Sequence, residues 1–267
     1  MKITKCIITL FISAFLIFTS CSEDFLFDFL LGPQPRFIGN EEYIPGLNIL
    51  GIIRPDSLDS KSLSYILVEK VIPAVSNVPD SFNVIDARVM VYRIMDDIAV
   101  DSFEFYYDTT QLFPSIYRPQ NLQPRAGDTY YVRCTREGLP EVTATTTVPD
   151  VPVIENDNVV ISENSIRFTI VSHPSAAMYD VVLLSGSYFN SARLLQSTDG
   201  NTPVEISYSG NLGPDSWILI YAYDTNLSDY LTSPNIFIKP NTYRPFFTTV
   251  NGGYGCFGSM NLLIKEL

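Results

Sequence analysis

Tyr130-Tyr131-Val132-Arg133-Cys134, a break at Arg136-Glu137-Gly138-Leu139-Pro140, then Val142-Thr143-Ala144-Thr145-Thr146-Thr147-Val148: the fold class is decided in this stretch. Tyr130, Val132 and Cys134 alternate along the first run, and Val142, Ala144, Thr146 and Val148 along the second. Side chains two residues apart point to the same face of a strand. Each run therefore has one apolar face, while Thr143, Thr145 and Thr147 line a second, wet face. With a Gly- and Pro-bearing turn between them, the two runs predict a β-hairpin whose threonine side meets water.

The same period of two recurs on both sides. Ile85, Ala87, Val89 and Val91 make one apolar strand face. Further strands are expected over residues 64–71, 165–171, 179–185, 204–208 and 217–223, with Trp217 as a core residue of its sandwich. No window carries a long amphipathic helix, and short helical turns fit only residues 113–117 and 228–231. Val148-Pro149-Asp150-Val151-Pro152 interrupts the alternation; two prolines deny ladder donors and stiffen an extended connection. The expected fold class is all-β: two tandem β-sandwich domains of immunoglobulin-like type, residues 36–149 and 150–267, preceded by residues 1–20 and 21–35.

Residues 1–21 are of another kind. Lys2 and Lys5 open the chain, residues 7–18 are almost unbroken apolar, and Thr19-Ser20-Cys21 follow. A charged start, a short greasy run and small residues before a cut describe a secretory signal. The run is shorter than the roughly 20 residues a membrane span needs. Cysteine directly behind two small residues resembles the bacterial lipoprotein signal, which implies acylation of Cys21 and removal of residues 1–20. Phe18 departs from the usual Leu, and an ordinary signal with a chance cysteine is the alternative reading. Ser22, Glu23 and Asp24 resemble the acidic run that sends Bacteroidota lipoproteins to the cell surface, although a solvated tether reads equally well. Residues 25–31 are unusually apolar for a tether.

Without residues 1–20 the chain keeps 15 basic against 29 acidic residues, 15 minus 29 giving a charge of −14. Such a body repels phosphate backbones and anionic lipid heads, which excludes nucleic acid as a natural partner and fits attachment through acyl chains. Of four cysteines, Cys6 leaves with the signal and Cys21 takes lipid, so Cys134 and Cys256 are the candidates for a disulfide. Export permits one, but the place of Cys134 on an apolar strand face favours a buried free thiol.

No constellation points to catalysis, a metal or a cofactor. Gly253, Gly255 and Gly258 satisfy the dinucleotide pattern, yet only nine residues follow Gly258 and no βαβ unit can be completed. The glycines read instead as positions of positive φ or close backbone approach, letting the C-terminal segment fold across a sheet edge. His173 is the single histidine, which excludes multi-histidine zinc sites. His173-Pro174 reads as a turn; a Ser–His–Asp arrangement is a matter of geometry that sequence leaves open. The acids at residues 155–158 and 199–201 lack EF-hand spacing. Phe103, Phe105, Tyr106 and Tyr107, beside Glu104 and Asp108, are the candidate ligand or partner contacts, although alternation sends half of such a run into a core.

Three segments together resemble one family, the Bacteroidota outer-membrane lipoproteins known as domain of unknown function 4249. They are Ala126-Gly127-Asp128-Thr129-Tyr130-Tyr131-Val132-Arg133, Val142-Thr143-Ala144-Thr145-Thr146-Thr147-Val148-Pro149, and Val250-Asn251-Gly252-Gly253-Tyr254-Gly255-Cys256-Phe257-Gly258-Ser259. The chain is short for that family and its tether more apolar. The resemblance implies a lipid-anchored outer-membrane protein, often encoded beside a TonB-dependent transporter, with no catalytic residues to carry over. The expectation is a non-enzymatic accessory that captures ligand for a transporter; a glycan-binding or adhesion module and a secreted hydrolase are its rivals.

Overall fold

A computed structural model describes residues 44–71, 82–110, 115–185, 188–195, 200–208, 212–213, 215–232 and 248–267. Residues 1–35, where a signal, an acylated Cys21 and a tether are expected, lie outside the described residues, as do residues 113 and 114 of the first expected helical turn. In chain order the first half carries β1 (Leu47–Ile53), β2 (Ser57–Leu58), β3 (Lys61–Ser62), β4 (Tyr65–Lys70), β5 (Arg88–Met95), β6 (Ile98–Tyr107), β7 (Ile116–Pro119), β8 (Thr129–Thr135) and β9 (Val142–Thr147). The second half carries β10 (Val153–Ile154), a 3-10 turn at Glu155–Asp157, β11 (Val160–Ile161), β12 (Ser165–Val171), β13 (Met178–Ser185), β14 (Tyr188–Leu195), β15 (Thr202–Ser207) and β16 (Ser216–Tyr223). Helix α1 (Thr225–Thr232) and the long closing strand β17 (Tyr254–Glu266) complete it.

The chain is all-β with sandwich packing, as the alternation predicted. Val89 and Val91 of β5, Phe105 of β6, and Val132 and Cys134 of β8 share one buried cluster with Ile49, Ile53, Ile66 and Val68 of β1 and β4. In the second half, Ile166, Phe168 and Ile170 of β12 and Val204 and Ile206 of β15 cluster with Val181, Leu183, Ile218, Ile220 and Ala222 of β13 and β16. Burying such side chains contributes about 1.5–3 kcal/mol each, an upper estimate because the unfolded chain already hides some area.

Among the described residues, the ladders join as one path, β14-β13-β16-β17-β1-β4-β7-β6-β5-β8-β9, beside a smaller sheet of β10, β12, β11 and β15. Strand β17 is the splice. Tyr254 to Ser259 run parallel to β1, from Asn48 to Ile53. Met260 to Glu266 then run antiparallel to β16. A strand that follows the Pro-rich connection in sequence thus completes a sheet that precedes it. The glycines make this approach. Gly255 stands at φ +100, and a Cβ there would lie 2.0 Å from the Ile49 carbonyl oxygen. Gly252, at φ +77, would meet the Glu141 carbonyl oxygen at 2.0 Å. The sequence pattern that mimics a dinucleotide loop is therefore a strand and its approach.

The structure corrects several expectations. Trp217 is 36 % exposed. Both parities of β16 are apolar, and the core takes Ile218, Ile220 and Ala222, which leaves Trp217 on the outer side. Ile85 lies before β5 and is 60 % exposed, so that apolar face begins at Ala87. Ile116 and Tyr117 belong to a strand rather than a helical turn. Cys134 and Cys256 are free and buried in separate clusters, so they form no disulfide. Burial pushes both thiols up to about 12.

Candidate functional site

The tyrosine-bearing outer face of β6, β5, β8 and β9 is one candidate surface. Direct cross-strand partners share a face. The ladder places Glu104 opposite Met90, and Met90 opposite Arg133. Ser102 stands opposite Tyr92, Tyr92 opposite Tyr131, and Tyr131 opposite Thr145. The Tyr92 and Tyr131 rings lie 6.2 Å apart, tilted by 40°. Arg133 Nε donates to Glu141 Oε2 at 2.6 Å, and its guanidinium lies in electrostatic reach of both phenols. Next to them the Tyr106 hydroxyl donates to Glu104 Oε2 at 3.0 Å. That hydrogen bond, reinforced by the carboxylate charge, pushes the Tyr106 phenol up. The arrangement presents apolar ring faces bordered by hydroxyl, carboxylate and guanidinium groups.

Of the four aromatic candidates read from sequence, Tyr106 alone faces outward on this strand. Phe105 is 2 % exposed and belongs to the core, which removes it from any contact surface. Phe103 and Tyr107 are partly buried and pack on the same core, with Tyr107 tilted 5.8 Å from Tyr117. Tyr92 and Tyr131 were missed. Their signal was present: each has the parity opposite to the buried Val91 and Val132, and Tyr131 pairs with the wet threonine face. Cys21 lies outside the described residues.

A Ser–His–Asp cluster does form. His173 Nδ1 lies 2.8 Å from Ser175 Oγ and 2.8 Å from Asp150 Oδ2. Ser175 Oγ donates to Asp150 Oδ2 at 2.9 Å and accepts from Asp150 N at 3.0 Å. In an acyl-transfer triad the hydroxyl and carboxylate occupy opposite ring nitrogens. Here both sit on Nδ1. The cluster ties the connection at Asp150 to the β12–β13 turn. A groove of about 540 Å³ opens near Glu155, Asn158, Phe168 and Glu205; there Arg167 Nη2 is committed to Glu205 Oε1 at 2.7 Å.

The third feature is the joint between halves. Strand β9 has β8 on one side, so its odd-numbered residues offer main-chain groups to the other. All four successive carbonyls on that side are met. Asn251 N donates to Thr143 O at 2.8 Å, with Thr143 N returning a bond at 3.0 Å. Asn226 Nδ2 donates to Thr145 O at 2.7 Å and to Phe257 O at 3.0 Å. Ser259 Oγ donates to Thr147 O at 2.8 Å, and Asn261 Nδ2 to Pro149 O at 2.9 Å. Side chains and the Asn251 main chain thus satisfy these carbonyls as a neighbouring strand would. Asp224 anchors the joint by capping α1: Leu227 N donates to Asp224 Oδ1 at 2.9 Å. Thr146 Oγ1 is bonded to Asp224 Oδ2. Burial dominates and pushes this carboxyl up to about 6, while the bonds from Thr146 and Leu227 pull it back.

Among the described residues no three His, Cys, Asp or Glu side chains gather as metal ligands, and no helix is long and apolar enough to cross a membrane. No family model and no curated protein matches the chain. Among solved structures it is similar to a segment of two fibronectin type-III domains from chicken tenascin, at 13 % identity and TM-score 0.25, over 84 % of this chain and 99 % of that one. It is also similar to the FN1–FN3 domains of chicken CNTN1, at 13 % identity and TM-score 0.24, over 81 % and 68 % of the two chains. A third similarity is to the chicken interferon gamma receptor alpha chain, at 8 % identity and TM-score 0.21, over 67 % and 87 %.

Proposed function

We propose that this chain is a non-enzymatic lipoprotein of the outer membrane, held by acyl chains on Cys21, that captures ligand as an accessory of a TonB-dependent barrel. Membership of the domain of unknown function 4249 family is part of the same proposal. The observation that carries it is the run from Lys2 to Cys21, with Ser22-Glu23-Asp24 behind it. Each buried methylene adds about 0.8 kcal/mol to membrane attachment, so two or three chains hold a body firmly. The anchor keeps the body at high local concentration beside a barrel without a strong protein interface. Mild detergent extraction followed by crosslinking and mass spectrometry tests the reading. We expect a diacyl or triacyl Cys21 at the mature N-terminus and a β-barrel in the crosslinked band. An unmodified Cys21, or a chain that crosslinks to nothing, removes it.

A second reading, glycan binding or adhesion, is favoured by one observation: Tyr92, Tyr131 and Tyr106 share an outer sheet face with Glu104 and Arg133. Ring faces stack on the apolar side of a sugar, and the flanking groups take its hydroxyls. A glycan array tests it, with Tyr92→Ala and Tyr131→Ala expected to lose the signal while melting as the parent does. Silence of the parent on the array removes this reading and leaves the first untouched.

A further inference from the structure

Three contacts run in series from the helix cap to the edge of β9. Asp224 Oδ2 meets Thr146 Oγ1. Thr146 Oγ1 lies 2.9 Å from Ser259 Oγ, and Ser259 Oγ lies 2.8 Å from Thr147 O. Each hydrogen bond uses one proton, and each hydroxyl owns one. Thr146 and Ser259 therefore supply two protons for three contacts. The Thr147 carbonyl brings none, and an ionised Asp224 brings none. In that state one contact sets lone pair against lone pair inside a buried site, which is costly. A neutral Asp224 supplies the missing proton. Its O–H donates to Thr146 Oγ1, Thr146 donates to Ser259 Oγ, and Ser259 donates to Thr147 O. Asp224 Oδ1 remains free to accept from Leu227 N.

The geometry points to a proton-operated latch: as a neutral acid Asp224 locks β9 to helix α1 and to the closing strand, and its ionisation unmakes one link of that lock. The neighbours are consistent with such a role. Asp224, Thr146 and Ser259 are all buried. Facing Asp224, α1 presents the carboxyl of Asp229 and β17 the thiol of Cys256. Strand β9 presents only hydroxyls and main chain. Burial and the nearby Asp229 both raise the Asp224 carboxyl, to about 6, which puts the change in mildly acid solution.

Native-state hydrogen exchange of the full chain tests the latch. The amides of Thr143 and Asn251 exchange bonds across the joint and report its opening. After correction for intrinsic rate, we expect their protection to fall about tenfold between pH 5 and pH 7.5. Asp224→Asn reproduces the neutral acid, since its amide donates to Thr146 while its oxygen accepts from Leu227 N. That variant is expected to show the same protection at both pH values, and more than the parent at pH 7.5. Asp229→Asn is expected to keep a pH-dependent fall. Protection in the parent that does not change with pH overturns the latch. So does an Asp224→Asn variant that still responds to pH, opens more readily than the parent at pH 7.5, or fails to fold.

Discussion

Two clusters brace the connection between the halves, and each pairs one aspartate with hydroxyls. Asp150 meets Ser175 and His173 at one point of the chain. Asp224 meets Thr146, with Ser259 behind it, at another. The chemistry is nearly the same, but the surroundings differ. The His173 and Asp150 side chains are 52 % and 44 % exposed, whereas Asp224 is 6 % exposed. Water can replace any bond lost in the first cluster and none in the second. Solvation, rather than residue identity, decides which cluster is costly to break.

Wedging β17 away from β1 is expected to cost the most. Gly255→Ala places a methyl against the Ile49 carbonyl in a left-handed backbone, and is expected to cost at least about 3 kcal/mol in urea unfolding. Next comes pH. The Asp224 carboxyl sits near 6 in the folded chain against 3.8 unfolded, so between those values the folded state holds more protons. The Asp224 contribution therefore favours folding most below about pH 4, declines as pH rises to about 6, and is flat above. The decline amounts to about 3 kcal/mol. Urea titrations of the parent and Asp224→Asn at pH 4 and pH 7.5 are expected to diverge by about that amount.

Thr146→Val leaves Asp224 Oδ2 and Ser259 Oγ short of a buried partner, and about 2 kcal/mol of stability is expected to go with it. A loss below about 0.5 kcal/mol would erase the distinction between the two clusters. Ser175→Ala sharpens the other side. It breaks the exposed cluster, yet thermal melts are expected to stay within about 0.5 kcal/mol of the parent.

Some of this is readable in the sequence itself. The hairpin of β8 and β9 follows from parity alone, as does the wetness of Thr145 and the burial of Val132 and Ala144. The strands at residues 165–171 and 217–223 were equally plain. Trp217 was placed wrongly because β16 is apolar on both parities. Alternation says which residues share a face, not which face is covered. The aromatic run of β6 failed for a related reason. Its acids and rings are adjacent in sequence, but strand geometry sends Phe105 inward and Tyr106 outward. Strand β17 was invisible because glycines mask strand propensity and its parallel partner, β1, lies some two hundred residues away.

The order of residues alone determined the class of this protein: alternating β-branched and aromatic side chains admit sheets and little else. Only the tertiary structure decided that the last strand is shared, that Asn226, Ser259 and Asn261 stand in for a missing neighbour of β9, and that one aspartate among many is dry. Local periodicity is a property of the chain. Which carbonyl lacks a partner, and which acid loses its water, depends on segments that meet only once the sheet has closed.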